Sequence, residues 1–300
     1  MPTPVTNVAI LGSTGSIGGN ALEVIGASEG RMRVVGLSAH RSLGRLTEQA
    51  RQYRPRWIVA TDPVLTAKDS PSDLPAGCEF DVGCKRLESL VRQDDVDVIV
   101  AAIVGSAGLR STWAALEAGK RVALANKETL VMAGPLVMQL AKSSGGEVLP
   151  VDSEHSAIFQ ALRSGQPSEV RRIVLTASGG PFRGYTSERL NQVTVADALN
   201  HPTWQMGPKI TVDSATMMNK ALEMIEARWL FDLKPEQIEV VVHPQSIVHS
   251  MVEFVDGSMI AQLSPPYMKL PMQYAFTYPQ RTTGVAAKLD LNKAMQFDFE

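Results

Sequence analysis

Short apolar runs alternate with amphipathic stretches through the first half of the chain. Residues 8–11, 57–60 and 96–103 are predicted strands, and the stretches between them place apolar residues at helical spacing. Repeated strand and helix units of this length predict an α/β fold whose mostly parallel sheet is covered on both faces. Residues 1–150 are therefore predicted to form a Rossmann-like, doubly wound domain.

The pattern changes beyond residue 162. Residues 239–242, 247–255 and 258–263 are predicted strands, and the last two meet at Asp256-Gly257, a dipeptide typical of tight hairpin turns. An antiparallel sheet, together with the helix that carries residues 219–229, predicts an α+β domain over residues 151–278. The polar residues 279–300 are predicted to form a linker.

The composition of the chain limits its number of domains, its cellular location and its possible partners. A chain of 300 residues with 44% hydrophobic and 20% charged side chains can bury the cores of two domains. No apolar run approaches the ~20 residues that cross a bilayer, and no secretion signal opens the sequence, so we expect a cytoplasmic protein without a membrane partner. A net charge of −2 without a basic stripe argues against nucleic acid. Cys78 and Cys84 lack partner motifs for zinc or a disulfide.

A glycine-rich turn follows the first strand. Residues 12–18 read GSTGSIG between a strand and a helix, where glycines let the backbone approach a pyrophosphate at the helix N-terminus. A plain strand-to-helix turn would also explain the glycines. After the second strand, where an NAD-binding domain places an acid, the chain has His40, Arg41 and Ser42. A basic loop with a hydroxyl group can accommodate the 2′-phosphate of NADP, which an acid would repel, so these residues predict NADP as the cofactor. The alternative is an ordinary solvent-exposed loop that binds no cofactor.

Acidic residues cluster at the end of the strand near residue 150. Asp152 and Glu154 can converge beyond the sheet edge and form half of a divalent-metal site. The other half is sought on the helix of residues 219–229, where Glu223 and Glu226 are both possible ligands by spacing. The alternative is that Asp152 and Glu154 only cap the helix that follows them.

Three more loops and one strand carry candidate chemistry. Lys127 and Glu128 follow a strand at the edge where parallel sheets bind ligands, either as reacting groups or as a surface ion pair. The loop that begins at Ser178 with two glycines exposes N–H groups suited to an anion, although such turns are common. Trp204 belongs either to a lid or to the core. His249 is expected to be a core histidine with a satisfied hydrogen bond.

Seven longer motifs together resemble one family. They are GSTGSIG, AAIVGSAGL, LANKETLV, PVDSEHSAIFQ, LTASGGPFR, HPTWQMGPKITVDSATMMNKALEMIEARWLF and HPQSIVHSM. From Val8 to about Phe299 the chain is similar to the 1-deoxy-D-xylulose 5-phosphate reductoisomerases, NADPH-dependent enzymes of the non-mevalonate isoprenoid pathway. The resemblance implies that a sugar phosphate, 1-deoxy-D-xylulose 5-phosphate, becomes 2-C-methyl-D-erythritol 4-phosphate by metal-assisted isomerisation and hydride transfer. It also implies a homodimer and a C-terminal helical domain, absent from this sequence, toward which residues 279–300 lead.

The same resemblance assigns residues to the site. The metal, Mg²⁺, Mn²⁺ or Co²⁺, would be bound by Asp152, Glu154 and Glu223, with Lys127 beside it as a further catalytic residue. The substrate phosphate would be held by Ser178, Ser214, Asn219 and Lys220, and the rest of the substrate would contact Ser153, Glu154, His201, Trp204 and Glu223. NADPH would contact Thr14, Gly15, Ser16, Ile17, His40, Arg41, Ser42, Asn126, Glu128, Gly207 and Met268. Trp204 and Met206 would belong to a mobile lid.

Two other functions are compatible with an NADP-binding domain. A metal-independent dehydrogenase needs a reactive cysteine or a single histidine base, and its activity would survive EDTA. A non-catalytic NADP-binding sensor would tolerate Asp152→Ala and Glu154→Ala. The metal-dependent function predicts instead that either substitution abolishes turnover while NADPH binding persists.

Overall fold

The computed structural model describes residues 5–204, 206–292 and 295–300. The chain divides into two compact units, which are Met1–Val151 with Met268–Val285, and Asp152–Tyr267 with Ala286–Glu300. Residues 1–4 of the predicted first domain and residues 293–294 of the predicted linker lie outside the described residues. Within the described ranges, no helix combines the length and the apolar character needed to cross a membrane.

The first unit is built on a seven-stranded parallel sheet. Its strands are β1 (Thr6–Leu11), β2 (Met32–Ala39), β3 (Trp57–Ala60), β4 (Glu79–Val82), β5 (Val98–Ala101), β6 (Arg121–Leu124) and β7 (Glu147–Pro150). They pair in the order β4-β3-β2-β1-β5-β6-β7, and every pair is parallel. This confirms the predicted Rossmann-like, doubly wound fold. The strand order reverses at β1, so the carboxyl ends of β1 and β5 border the crevice where such sheets bind ligands.

Five helices connect these strands. They are α1 (Ser16–Gly26), α2 (Leu43–Tyr53), α3 (Cys84–Leu90), α4 (Ala107–Glu117) and α5 (Lys127–Ser144). Residues 8–11 of β1 are completely buried, as expected for a parallel sheet covered on both faces. Helix α5 begins before its predicted start at residue 130, because the Asn126 side chain caps it by accepting the N–H of Thr129. The sequence does not predict β4, in which Glu79 and Asp81 alternate with apolar residues at the sheet edge.

The second unit contains a four-stranded mixed sheet. Its strands are β8 (Val170–Ala177), β9 (Ile238–Val242), β10 (Val248–Phe254) and β11 (Met259–Leu263), in the order β11-β10-β8-β9. The predicted hairpin is confirmed, since β10 pairs antiparallel with β11 and Gly257 turns the chain with φ +88°. Strand β9 instead runs parallel to β8, so the predicted antiparallel sheet is wrong at this strand. Parallel neighbours need a crossover connection, which the helices between β8 and β9 provide.

Helices of the second unit position the candidate acids. They are α6 (Ser153–Ala161), α7 (Ser187–Leu190), α8 (Val195–Ala198), α9 (Pro208–Ala215) and α10 (Met218–Leu230). Ile158 of α6 and Ala227 of α10 are both completely buried in one apolar cluster with Ile173, Leu175 and Val252 of the sheet. This packing fixes the two helices whose ends and faces carry the predicted metal ligands.

Helix α11 (Lys269–Thr277) belongs to the first unit, which differs from the predicted boundary at residue 278. It buries Met272 and Phe276, and Lys269 Nζ lies 2.5 Å from Glu23 Oε2. Just beyond it, Arg121 Nη1 donates to the Tyr278 carbonyl over 3.0 Å. An amphipathic pattern shows that a helix buries one face but not which sheet covers it, and this is why the sequence misplaces the boundary.

Candidate active site

Three carboxylates of the second unit converge at the start of α6. Asp152 is the N-cap of α6, and its Oδ1 accepts the N–H of Glu154 over 3.2 Å. Helix α10 presents Glu223, which is almost completely buried. One oxygen from each of Asp152, Glu154 and Glu223 lies within 4.8 Å of the others. Capping and clustering therefore occur together, and the capping alternative does not exclude a metal site.

Lys220 lies among these acids. Its buried Nζ donates to Glu154 Oε1 over 3.0 Å, to Glu223 Oε2 and to the carbonyl of Thr176. Burial disfavours the ammonium, but the charges of Glu154 and Glu223 outweigh it and raise the pKa of Lys220. These three bonds use all the N–H groups of an ammonium, so a contact with phosphate requires Lys220 to give up one of them.

Negative charge at this cluster exceeds what one ammonium offsets. Burial, together with the charges of Glu223 and Asp152, raises the pKa of Glu154 to about 8 against the opposing effect of Lys220. Carboxylate oxygens grouped in this way are the ligands that Mg²⁺ and Mn²⁺ prefer. The three acids therefore fit a divalent cation by number, donor type and spacing.

Two predicted substrate residues orient the acids. Asn219 Nδ2 donates to Glu223 Oε1 over 2.5 Å, as expected for residues four apart on one helix face. Ser153 Oγ donates to Glu154 Oε2 over 2.5 Å. Each contact fixes a carboxylate oxygen, so both side chains shape the acid cluster whether or not they also touch a substrate.

The structure distinguishes Glu223 from Glu226, which spacing leaves open. Glu226 lies outside the group of three acids, and its Oε2 is 3.9 Å from Nδ1 of the buried His155. The other ring nitrogen of His155 lies 2.9 Å from the carbonyl of Glu223. His155 therefore joins the start of α6 to the helix that carries Glu223, a role that no sequence pattern reveals.

The loop after β8 brings Ser178 to His201. Nδ1 of His201 faces the N–H groups of Thr203 and Trp204 at 3.1 and 3.0 Å, so this nitrogen accepts. Its Nε2–H then donates to Ser178 Oγ, 3.0 Å away. Burial lowers the pKa of His201, which favours this neutral form. The ring thus ties Ser178 to the turn that carries Trp204.

Ser178 is left with one hydrogen to donate. Its oxygen accepts from His201 and also from the N–H of Gly180 over 3.2 Å, so its own hydroxyl hydrogen remains for another acceptor. A Cβ at Gly180 would lie 2.6 Å from the carbonyl of Ser214 at the end of α9. The loop is therefore packed closely against the segment that holds another predicted phosphate residue, and it presents a donor suited to an anion.

Trp204 and His249 lie near each other in the second unit. Trp204 is half-buried, and its ring centroid is 6.3 Å from that of His249 in an edge-on arrangement. His249 is buried, its Nε2 is 3.1 Å from the carbonyl of Ser264, and burial lowers its pKa. His249 is the hydrogen-bonded core histidine that the sequence predicts.

The glycine turn of the first unit keeps the N-terminus of α1 accessible. Gly12 has φ +84°, and a Cβ there would lie 2.7 Å from the carbonyl of Ala102 after β5. Gly15 and Ser16 are exposed at the start of α1, with Thr14 and Ile17 half-buried beside them. Exposed N–H groups at a helix N-terminus suit a pyrophosphate.

The loop after β2 exposes its basic residues. His40, Arg41 and Ser42 are all exposed. Arg41 Nε donates to Asp62 Oδ2 over 2.7 Å, while the other oxygen of Asp62 accepts the N–H of Val64 over 3.1 Å. The N–H of Val64 and the guanidinium of Arg41 lower the pKa of Asp62. Asp62 thus orients Arg41, and the sequence offers no sign of it because the two residues meet only in the folded sheet.

Asn126 and its neighbours occupy the carboxyl edge of β6. The buried Asn126 side chain donates to the carbonyls of Ile103 and Gly105 over 2.6 and 3.1 Å, and to Glu128 Oε2 over 2.9 Å. It therefore fixes the loop after β5 as well as capping α5. Lys127 is buried, which rules out the surface ion-pair alternative.

The last two predicted cofactor residues lie in different units. Gly207 precedes α9 in the second unit, and Met268 precedes α11 in the first. Each is the N-cap residue of its helix.

Comparisons with known proteins agree along nearly the whole chain. Residues 8–134 match the family model described as 1-deoxy-D-xylulose 5-phosphate reductoisomerase, and residues 148–231 match its C-terminal domain model. Relatives of that name from Phocaeicola vulgatus and Chloroherpeton thalassium are 51% and 52% identical, over 98% of this chain and 76% of each relative.

Solved structures give the same result. A DOX-P reductoisomerase crystallised with NADPH, fosmidomycin and magnesium superposes with a TM-score of 0.92 at 43% identity, covering 99% of this chain and 75% of that one. The 1-deoxy-D-xylulose 5-phosphate reductoisomerase of Zymomonas mobilis in complex with NADPH gives 0.90 at 42% identity, covering 99% of this chain and 77% of its own.

Proposed function

This chain belongs to the 1-deoxy-D-xylulose 5-phosphate reductoisomerase family, and we propose that it converts 1-deoxy-D-xylulose 5-phosphate to 2-C-methyl-D-erythritol 4-phosphate with NADPH and a divalent metal. The identity above 50% to two relatives supports the reaction. The observation that carries the proposal at atomic level is the cluster of three acids within 4.8 Å of one another. A dehydrogenase that works without metal has no need of such a cluster.

Asp152, Glu154 and Glu223 would hold the metal. A bound divalent ion would supply Lewis-acid polarisation of the substrate oxygens, and bound NADPH would supply the hydride. The protein's own contribution is orientation. Asn219 holds one oxygen of Glu223, and Ser153 holds one oxygen of Glu154, so both carboxylates are fixed before any ligand arrives. Such pre-orientation limits the entropy lost on binding.

The phosphate end of the substrate would lie at Ser178. Its hydroxyl hydrogen is not needed for the bonds with His201 and Gly180, and is thereby available to a phosphate oxygen. Lys220 joins this loop to the acid cluster, since its ammonium also donates to the carbonyl of Thr176 on the same strand. Ser214 and Asn219 would complete the phosphate contacts, and Trp204 would cover them.

NADPH would bind to the first unit through two groups of residues. The exposed turn at Thr14, Gly15, Ser16 and Ile17 would meet the pyrophosphate at the start of α1. His40, Arg41 and Ser42 would meet the 2′-phosphate. The pairing of Arg41 with Asp62 through Nε supports this assignment, because it leaves the outer guanidinium nitrogens for a ligand.

The rival metal-independent dehydrogenase lacks support at Cys78. A metal-independent dehydrogenase needs a reactive thiol or a histidine base, but burial raises the pKa of Cys78 to about 11, which disfavours its thiolate.

We also propose a homodimer located in the cytoplasm. Light scattering coupled to size-exclusion chromatography should give twice the chain mass, and a monomer at micromolar concentration would contradict the dimer.

The decisive experiment follows NADPH oxidation with 1-deoxy-D-xylulose 5-phosphate, with and without Mn²⁺. We expect turnover only with the metal, and loss of turnover in Asp152→Asn and Glu154→Gln. NADPH binding, measured by its fluorescence, should stay within about twofold of the wild type, since neither acid is among the residues assigned to NADPH. Full turnover of both variants, or full turnover in EDTA, would remove the metal from the mechanism.

A further inference from the structure

Residues 295–300, hereafter the terminal segment, lie along the free edge of β9. The N–H of Val242 donates to the carbonyl of Glu300 over 3.0 Å, and the N–H of Glu300 donates back to Val242 over 2.9 Å. Gln245 Nε2 donates to Asp298 Oδ2 over 2.5 Å. A segment predicted as a polar linker is thus attached to the sheet by paired backbone bonds.

His243, the residue after β9, joins this segment to the sheet. It is completely buried, and its ring stacks on Phe299 with centroids 4.9 Å apart and an interplanar angle of 20°. Phe297 approaches the same ring edge-on at 6.0 Å. Nδ1 of His243 lies 2.9 Å from the carbonyl of Asp298. Ring stacking and a polar contact therefore act on the same three residues of the segment.

The hydrogen bonds of His243 select one neutral tautomer. Nε2 faces the N–H groups of Ile247 and Val248 at 3.2 and 3.1 Å, so it accepts from both. The ring hydrogen is then on Nδ1, where it donates to the carbonyl of Asp298. Only this tautomer satisfies all three contacts. His243 is thus a bridge between the start of β10 and the terminal segment.

The same residues contact the loop that binds the anion in the proposed function. That loop, residues 178–183, is called the phosphate loop here. The N–H of His243 donates to the carbonyl of Ala177 over 2.7 Å, immediately before Ser178. At its far end, Arg183 Nη1 donates to Glu300 Oε1 over 2.7 Å. The loop is therefore attached to His243 at one end and to the terminal segment at the other.

The phosphate loop needs such attachment because of its glycines. Gly179 and Gly180 have φ values of +84° and +68°, which L-residues rarely adopt. Glycine adopts them freely, but it loses more conformational entropy than other residues when it is ordered. A Cβ at Gly179 would lie 2.6 Å from Cδ of Arg183 and 3.1 Å from Cγ1 of Val242. The loop is thus folded closely over β9, next to the pairing of Val242 with Glu300.

We propose that His243 is a positioning residue for the phosphate loop. By holding residues 297–300 against β9, it keeps Arg183 and the two glycines in the conformation that directs the Ser178 hydroxyl toward a phosphate. His243 itself touches no ligand. The inference rests on the proposed phosphate-binding role of Ser178, and adds to it a residue and a segment outside the site.

Two variants test the proposal from opposite sides. In His243→Gln, the side-chain oxygen can still accept from the β10 backbone, but the stacked ring and the donor to Asp298 are lost. In Phe299→Ala, His243 is intact and its stacked partner is removed; because Phe299 is 47% exposed, this variant should fold. The matched control is Met259→Ala, since Met259 is also 47% exposed but lies on β11, at the opposite edge of the same sheet.

We expect the KM for 1-deoxy-D-xylulose 5-phosphate to rise about tenfold in His243→Gln and about threefold in Phe299→Ala, from the loss of one buried hydrogen bond and one stacked pair. The kcat and the KM for NADPH should stay within about twofold of the wild type. The KM for 1-deoxy-D-xylulose 5-phosphate should be no higher in the double variant than in His243→Gln, because both changes remove the same contact between His243 and Phe299. Met259→Ala should match the wild type.

Equal changes in the KM values for both substrates would show general loosening of the fold and overturn the proposal, as would an unchanged KM for the sugar phosphate in Phe299→Ala. Calorimetry with inorganic phosphate supplies a second readout, in which both variants should bind it more weakly than Met259→Ala does. If the wild type fails to oxidise NADPH with 1-deoxy-D-xylulose 5-phosphate, the proposed function fails, and the phosphate measurement still decides the role of His243.

Discussion

Metal binding at the acid cluster should release a proton at neutral pH. Without metal, burial raises the pKa of Glu154 to about 8, with Glu223 adding to the effect and Lys220 opposing it. A carboxyl group coordinates a cation only after it loses its proton. Below pH 8 the ion must therefore displace the proton of Glu154, and the apparent affinity must depend on pH.

The size of this dependence follows from the pKa. Each pH unit below the pKa costs about 1.4 kcal/mol, so metal affinity should be about tenfold weaker at pH 7, and about 100-fold weaker at pH 6, than above pH 8. The sign for stability is opposite. Because the pKa of Glu154 is raised above its ordinary value of 4.5, the protonated form stabilises the metal-free fold at low pH, and this stabilisation is lost as the pH rises from 4.5 through about 8.

Calorimetry with Mn²⁺ from pH 6 to 8.5, in two buffers with different ionisation enthalpies, measures both the affinity and the proton. We expect about 0.9 proton released per ion at pH 7. Glu223→Gln should bind Mn²⁺ more weakly and release less, because it removes a ligand and a charge that raises the pKa of Glu154. Glu226→Gln should behave like the wild type, since Glu226 lies outside the cluster. A dissociation constant that stays the same between pH 6 and 8, with no proton released, would refute the reasoning.

Three further substitutions test other parts of the structure. Arg41→Gln should raise the KM for NADPH about tenfold and leave that for NADH unchanged; equal losses would mean that Arg41 does not contact the 2′-phosphate. Gly36→Ala should lower the free energy of unfolding by about 3 kcal/mol in urea titrations, because its Cβ would lie 2.0 Å from the buried Trp57 ring, whereas Gly44→Ala, with open space around it, should not. Trp204→Ala should weaken binding of the sugar phosphate more than that of NADPH in equilibrium titrations, and the reverse order would remove its role as a lid.

Most of the first unit could be predicted from the sequence because its strands are continuous apolar runs. Residues 8–11 are completely buried as predicted. The exception is β4, a four-residue edge strand in which Glu79 and Asp81 lie near solvent, because an alternation this short cannot be distinguished from a loop. In the second unit, β9 runs parallel to β8 because a crossover connection that includes α10 links the two strands. No local pattern in the sequence of β9 indicates this direction.

The candidate site was predictable where its residues are neighbours in the chain. Asp152 and Glu154 flank one helix start, and their approach follows from local geometry alone. Glu223 comes from another helix, and only family resemblance selects it over Glu226. Asp62 and His243 were missed because their partners are distant in sequence and meet them only after the sheets form.

The discontinuous first unit has a consequence for synthesis on the ribosome. Helix α11, which supplies Met272 and Phe276 to that unit, is translated only after the whole span of residues 152–267. During synthesis, the first unit must therefore leave the apolar surface that α11 covers exposed to chaperones until residues 152–267 have emerged. A polypeptide that ends at residue 151 would leave this apolar surface exposed, and we expect it to aggregate rather than to act as an independent NADPH-binding domain.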